Sequence, residues 1–231
     1  MIADLKKELQ ALSSPQKAKA SAWFFKTGKG QYGEGDIFIG VTVPEQRTVA
    51  QKYVSLPLSE IEQLLQDKVH EYRLTALFIL VGQYKKADES TKKTIYDFYL
   101  QHTKYINNWD LVDSSASYIV GEFLLNKERD ILYKLAYSSN IWERRISIIA
   151  TATFIKHNQF EDTFKIAELL LSDSHDLIHK AVGWMLREVG KKDIHQEEQF
   201  LDKHSQSMPR TALRYAIEKF SPTKKTYYMK K

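Results

Sequence analysis

Tyr72-Arg73-Leu74-Thr75-Ala76 has four echoes further along the chain: Val112-Asp113-Ser114-Ser115-Ala116, Arg144-Arg145-Ile146-Ser147-Ile148, His179-Lys180-Ala181-Val182-Gly183 and Pro209-Arg210-Thr211-Ala212-Leu213. The second residue of each group advances by 40, 32, 35 and 30 positions. Steps of that size fit one helical hairpin per repeat, each hairpin burying its apolar stripe against its neighbours. Equivalent positions of such hairpins line one surface. The column reads Arg73, Asp113, Arg145, Lys180 and Arg210, four cations interrupted by one carboxylate.

Outward from this column the apolar spacing is helical nearly everywhere, with strand-like alternation confined to a short stretch around 37–43. Helices are expected at about 2–12, 15–25, 44–53, 58–66, 68–84, 89–105, 107–123, 127–137, 140–156, 160–171, 173–190, 194–204 and 208–220. Ser14-Pro15 reads as an N-cap followed by proline in the first helical turn, and Ser59 with Glu62 has capping-box spacing. The expected fold is all-α, a HEAT-like helical-repeat solenoid. It forms one domain over 1–231, with a glycine-rich loop at 27–36 and a basic, solvated tail at 222–231.

The balance of 43% hydrophobic and 27% charged residues is that of a globular chain. The net charge of +5 hints at an anionic partner, yet Lys224, Lys225, Lys230 and Lys231 supply four of those charges. Any argument for nucleic acid therefore rests on where cations lie, not on how many there are. With no cysteine the chain has no disulfide, thiolate zinc site or cysteine nucleophile. The N-terminal stretch lacks an apolar signal core and no apolar run reaches membrane-spanning length, so the cytoplasm is the expected location and no membrane partner is expected.

Three of the four tryptophans accompany the column. Trp109 precedes Asp113 by four residues, Trp142 precedes Arg145 by three, and Trp184 follows Lys180 by four. One reading is a concave aromatic and cationic surface; the other is that the tryptophans plug helix junctions and the cations form a solvated ridge. On the first reading the cations pair with phosphates in duplex DNA. A base alkylated on a ring nitrogen carries a positive charge that an indole face attracts. Cleaving its glycosidic bond shifts positive charge to the deoxyribose, where a fixed carboxylate stabilises it or activates water. Asp113 is the candidate; its alternative fate is a pair with a neighbouring arginine or a helix cap.

Asn108-Trp109-Asp110-Leu111-Val112-Asp113 resembles the tryptophan and aspartate motif of the AlkD-like alkylpurine DNA glycosylases. Ile141-Trp142-Glu143-Arg144-Arg145 is similar to that family's DNA-binding segment, and Lys180 to Glu188 to its Gly-Trp-x-Leu-Arg-Glu helix, so the resemblance runs through nearly the whole chain. It implies hydrolytic excision of cationic N3- or N7-alkylated purines by a monomer without metal or other cofactor. Asp113 becomes the catalytic carboxylate, Trp109 and Trp184 the lesion-facing aromatics, and Arg145 a backbone anchor. Trp142, Arg144, Lys180, Arg187, Arg210 and Arg73 complete the expected DNA contacts. The alternatives are a DNA-binding scaffold without catalysis and a protein-interaction module.

The segment Thr27 to Asp36 looks longer than the matching link of the best-known members. Its Gly28-x-Gly30-x-x-Gly33 string lacks the strand-turn-helix context of a dinucleotide site, leaving a loop with Lys29 and Tyr32 as DNA-facing candidates. His175 and His179 have metal-ligand spacing but no third ligand, and read as surface histidines.

Overall fold

The computed structural model describes residues 1–230, which divide into two compact units, 1–115 and 116 onward. Unit one comprises α1 (Ile2–Ala11), α2 (Pro15–Phe24), α3 (Val43–Lys52), α4 (Leu58–Leu65), α5 (His70–Lys86), α6 (Glu89–Gln101), a 3-10 turn (Thr103–Tyr105) and α7 (Trp109–Asp113). Unit two opens with a π-helical turn (Ser117–Gly121). It continues through α8 (Glu122–Leu124), α9 (Asp130–Ala136), α10 (Ile141–Lys156), α11 (Glu161–Leu170), α12 (Asp176–Lys192), α13 (Ile194–His204), α14 (Arg210–Ala216), a 3-10 turn (Ile217–Lys219) and α15 (Pro222–Met229). No strand occurs among the described residues; the alternating stretch yields one isolated parallel bridge, Ile37 to Val69.

Each unit is built around a helix that is buried on nearly all sides, as a helix apolar on every face must be. In unit one this is α5, packed on α3, α4, α6 and α7 through Leu74, Leu77, Ile79 and Leu80, each at most 1% exposed. In unit two it is α10, packed on the π-turn, α9, α11 and α12 through Ile146, Ile148, Ile149 and Phe154. Next along the chain, α12 packs on α11, α13 and α14. Contacts of this kind, helix to adjacent helix, are those of a repeat array. Every fully buried leucine or isoleucine contributes about 2 kcal/mol of transfer free energy.

Local signals explain most helix starts. Ser14 Oγ accepts from Lys17 N–H, with Pro15 in the first turn of α2. Ser59 is no cap: α4 begins at Leu58 after Pro57, so Ser59 lies within its first turn. The capping box belongs to α3, where the Glu45 carboxylate accepts both Thr42 N–H at 2.8 Å and Thr42 Oγ1–H at 2.6 Å.

Two other expectations are corrected. The single helix expected over 107–123 is broken after Asp113. Ser115 Oγ bonds back to Leu111 O at 2.6 Å and meets Tyr99 OH at 2.9 Å, a side-chain alternative to the helix ladder. The π-turn that follows brings Gly121 so close to Ala150 that a Cβ would sit 2.4 Å from its carbonyl oxygen. The stretch after 222 is not a free tail. Ser221 caps α15, Tyr228 is 4% exposed with its hydroxyl 2.9 Å from Asp202 Oδ1, and Lys224 pairs with Glu198. Residue 231 lies outside the described residues.

Candidate functional site

The motif residues Trp109 and Asp113 are the two ends of α7. Five residues are too few for a helix to persist on its own backbone bonds, so side chains from other segments must hold it. Asn108, fully buried before the helix, accepts Trp109 N–H on Oδ1 at 2.8 Å and donates from Nδ2 to Asp36 Oδ2 at 3.2 Å. Asp110 caps Leu111 N–H at 2.9 Å with one carboxylate oxygen and lies 2.8 Å from His70 Nε2 with the other. Asp113 is half-buried at the far end, where its charge reinforces the upward shift that burial imposes on the Tyr99 phenol.

Beneath this start lies a cluster of buried charge. His70 faces Asp36 through Nδ1 at 3.1 Å as well as Asp110 through Nε2. Arg73 donates to Asp36 Oδ1 at 2.7 Å and to the carbonyl of Asp67 at 3.2 Å. Burial alone would lower the His70 pKa, but the charge of Asp110 and hydrogen bonds to Asp110 and Asp36 raise it to about 9. Burial works against ionisation of Asp36, and the hydrogen bond to His70 and the charge of Arg73 outweigh it, holding the carboxyl below its usual range. On the same helix, the Glu71 carboxylate accepts Ile39 and Gly40 N–H, at 3.1 and 2.7 Å.

Aromatic rings cover the cluster. Phe25 stacks between Phe38 and Trp109, both at 5.1 Å between centroids, and Phe38 stacks on His70 at 4.6 Å. The Trp109 indole N–H donates to Tyr32 OH at 3.3 Å. The glycine-rich loop is thus tied down at Tyr32 and Asp36. It also requires Gly33, where a Cβ would lie 2.4 Å from Phe25 O. Lys29 remains exposed.

Arg73 therefore requires correction as a DNA-contacting residue: it is 4% exposed and serves Asp36. In unit two the column is also engaged. Arg144 Nε pairs with Asp173 at 2.6 Å, whereas Arg145, 5% exposed and donating to Leu177 O at 2.5 Å, is corrected as a DNA-contacting residue on the same ground as Arg73. Lys180 pairs with Asp176 at 2.7 Å, Arg187 with Glu218, and Arg210 donates to Met229 O at 2.7 Å. Trp142 is 7% exposed and fills the interior of its unit, as a junction plug would. Trp184 is half-buried with its indole N–H on Glu188 at 3.0 Å. His175 caps α12 and His179 meets Asp173 O, and no set of His, Asp and Glu among the described residues is arranged to hold a metal.

Sequence reasoning missed Asp36, His70 and Asn108 as supports of the motif. Asp110 stood within the quoted motif with no role assigned. A histidine and an aspartate next to a glycine-rich turn are visible in the string, but their meeting across the fold is not.

The chain is similar in fold to a predicted DNA alkylation repair enzyme from Enterococcus faecalis, with a TM-score of 0.73 and 18% identity over 91% of this chain and 97% of that one. It is also similar to AlkD2 from Streptococcus mutans, with a TM-score of 0.58 and 19% identity over 96% and 97%. Both likenesses give the same fold, all-α and of the AlkD-type helical-repeat class. No helix among the described residues is long and apolar enough to cross a membrane. No curated protein matches the chain in sequence. The family described as DNA alkylation repair enzyme matches residues 5–220, nearly the whole chain, and the protein belongs to that family.

Proposed function

We propose that the chain is a DNA glycosylase that hydrolyses the N-glycosidic bond of cationic N3- or N7-alkylated purines in duplex DNA. The observation that carries this reading is the placement of Asp113 one helical turn after Trp109, on a helix whose start is locked by Asn108, Asp110 and His70. A carboxylate carried at the end of a helix held in this way can stabilise developing charge with little reorganisation of its backbone.

In the reaction the bond between C1′ and N9 breaks and its electron pair passes to the purine, whose ring charge is neutralised. Water oxygen bonds to C1′, and its proton passes to Asp113 or to solvent. Asp113 faces the positive charge that builds on the sugar. Trp109 offers its indole face to the cationic base. Trp184 is assigned the second aromatic contact, and Lys180, Arg144, Arg187 and Arg210 exchange their present partners for phosphate oxygens. Arg145 supports that surface through Leu177 O.

The test is product identity. Duplex DNA carrying one N7-methylguanine, incubated with the protein, is expected to yield free 7-methylguanine and an abasic site. Tight binding without either product would instead point to a DNA-binding scaffold, and no binding at low salt to a protein-interaction module.

A further inference from the structure

Both ring nitrogens of His70 face carboxylate oxygens, Asp36 Oδ2 at 3.1 Å and Asp110 Oδ2 at 2.8 Å. An ionised carboxylate only accepts hydrogen bonds, so satisfying both contacts requires a proton on each nitrogen. The side chains of His70, Asp36 and Asp110 are 2%, 5% and 13% exposed, which leaves little room for water to substitute.

The remaining charge in the cluster is Arg73 of α5, so two carboxylates meet two cations and the buried group is neutral as a whole. Glu71 of the same helix is turned to the backbone at 39–41. The loop contributes Asp36 and α7 contributes Asp110; Phe25, Phe38 and Trp109 cover the rest with rings. Removing the imidazolium would leave two buried carboxylates with one cation, which such a site does not tolerate.

We infer that His70, as an imidazolium bridging Asp36 and Asp110, is a positioning residue that fixes the short helix α7 and thereby orients Trp109 and Asp113. The inference rests on the proposed role of Asp113 for its catalytic consequence, but its structural half stands on the hydrogen bonds alone. His70 itself touches no substrate; it acts through Asp110, adjacent to Trp109, and through Asp36, which also holds Asn108.

The test uses 15N-labelled full-length protein and the His70→Gln variant. In the wild type at pH 7.5, ring 15N resonances should show both His70 nitrogens protonated; a neutral ring would overturn the inference. In His70→Gln the Trp109 indole N–H resonance should move while those of Trp142 and Trp184 stay. Single-turnover release of 7-methylguanine should slow by on the order of tenfold to a hundredfold, as expected from a misplaced catalytic group. Duplex affinity should stay within about twofold. A folded variant with an unmoved indole and release within about twofold of wild type overturns the inference. Should His70→Gln not fold, Asp110→Asn carries the same readouts. If the wild type releases no base, the glycosylase reading fails and the indole resonance alone decides the positioning claim.

Discussion

The Trp109 indole N–H donates to the Tyr32 hydroxyl across 3.3 Å, joining α7 to the glycine-rich loop. Tyr32→Phe removes this acceptor, together with the long 3.5 Å bond that the hydroxyl donates to Phe24 O, and keeps the ring. The expected cost is about 1 kcal/mol of unfolding free energy, the ordinary net worth of one hydrogen bond. Urea unfolding measures it, together with a shifted Trp109 indole resonance; an unchanged midpoint and an unmoved resonance would show that the loop does not hold the indole.

The His70 cluster makes stability depend on pH. The folded pKa of about 9 lies above the ordinary 6.5, so the contribution is fully present below about pH 6.5 and is lost as pH rises through 9. The gap corresponds to on the order of 3 kcal/mol. Unfolding curves between pH 6 and 9.5 should show the decline in the wild type and a smaller one in His70→Gln; parallel declines would contradict the assignment.

Glu197 adds a second pH effect in the same direction. It is 1% exposed against Gly190, where a Cβ would collide with its carboxylate, and burial, reinforced by the charge of Glu198, raises its pKa to about 8. A raised acid favours the protonated fold, so stability falls as pH climbs from about 4.5 through 8. Glu197→Gln should therefore be more stable than wild type at pH 8, by roughly 4 kcal/mol, and no more stable at pH 4.5. Equal gains at both values would mean that charge is not the cause.

Arg73 and Lys180 occupied equivalent places in the repeat column, and the structure separates them. Arg73→Ala strands Asp36 in a buried site and should cost about 3 kcal/mol of stability, with the salt dependence of DNA binding unchanged. Lys180→Ala, at a half-exposed side chain, should leave stability nearly intact and reduce the slope of log affinity against log salt by about 1. Titrations at several salt concentrations decide; a reduced slope for Arg73→Ala would return that residue to the surface.

That separation marks how far the sequence could be read. The repeat column and the helical period announced an all-helical array, because apolar spacing is a local property of the chain. The same column could not tell Arg73, which turns inward to Asp36, from Lys180, since a side chain's partner is decided by packing. The break after Asp113 was hidden for a related reason. Ser115 is unremarkable in the string and ends the helix only because Tyr99 and Leu111 O stand within reach of its hydroxyl. Trp142 illustrates the limit of counting aromatics, since burial made it a plug.

Asp113 is the carboxylate proposed to act in base release. The most direct measurement compares wild type and Asp113→Asn for single-turnover release of 7-methylguanine from duplex DNA, with duplex affinity measured on the same samples. Loss of a group that acts mainly on the transition state should cost at least about a hundredfold in rate while affinity changes little. Release by Asp113→Asn at the wild-type rate would contradict the account.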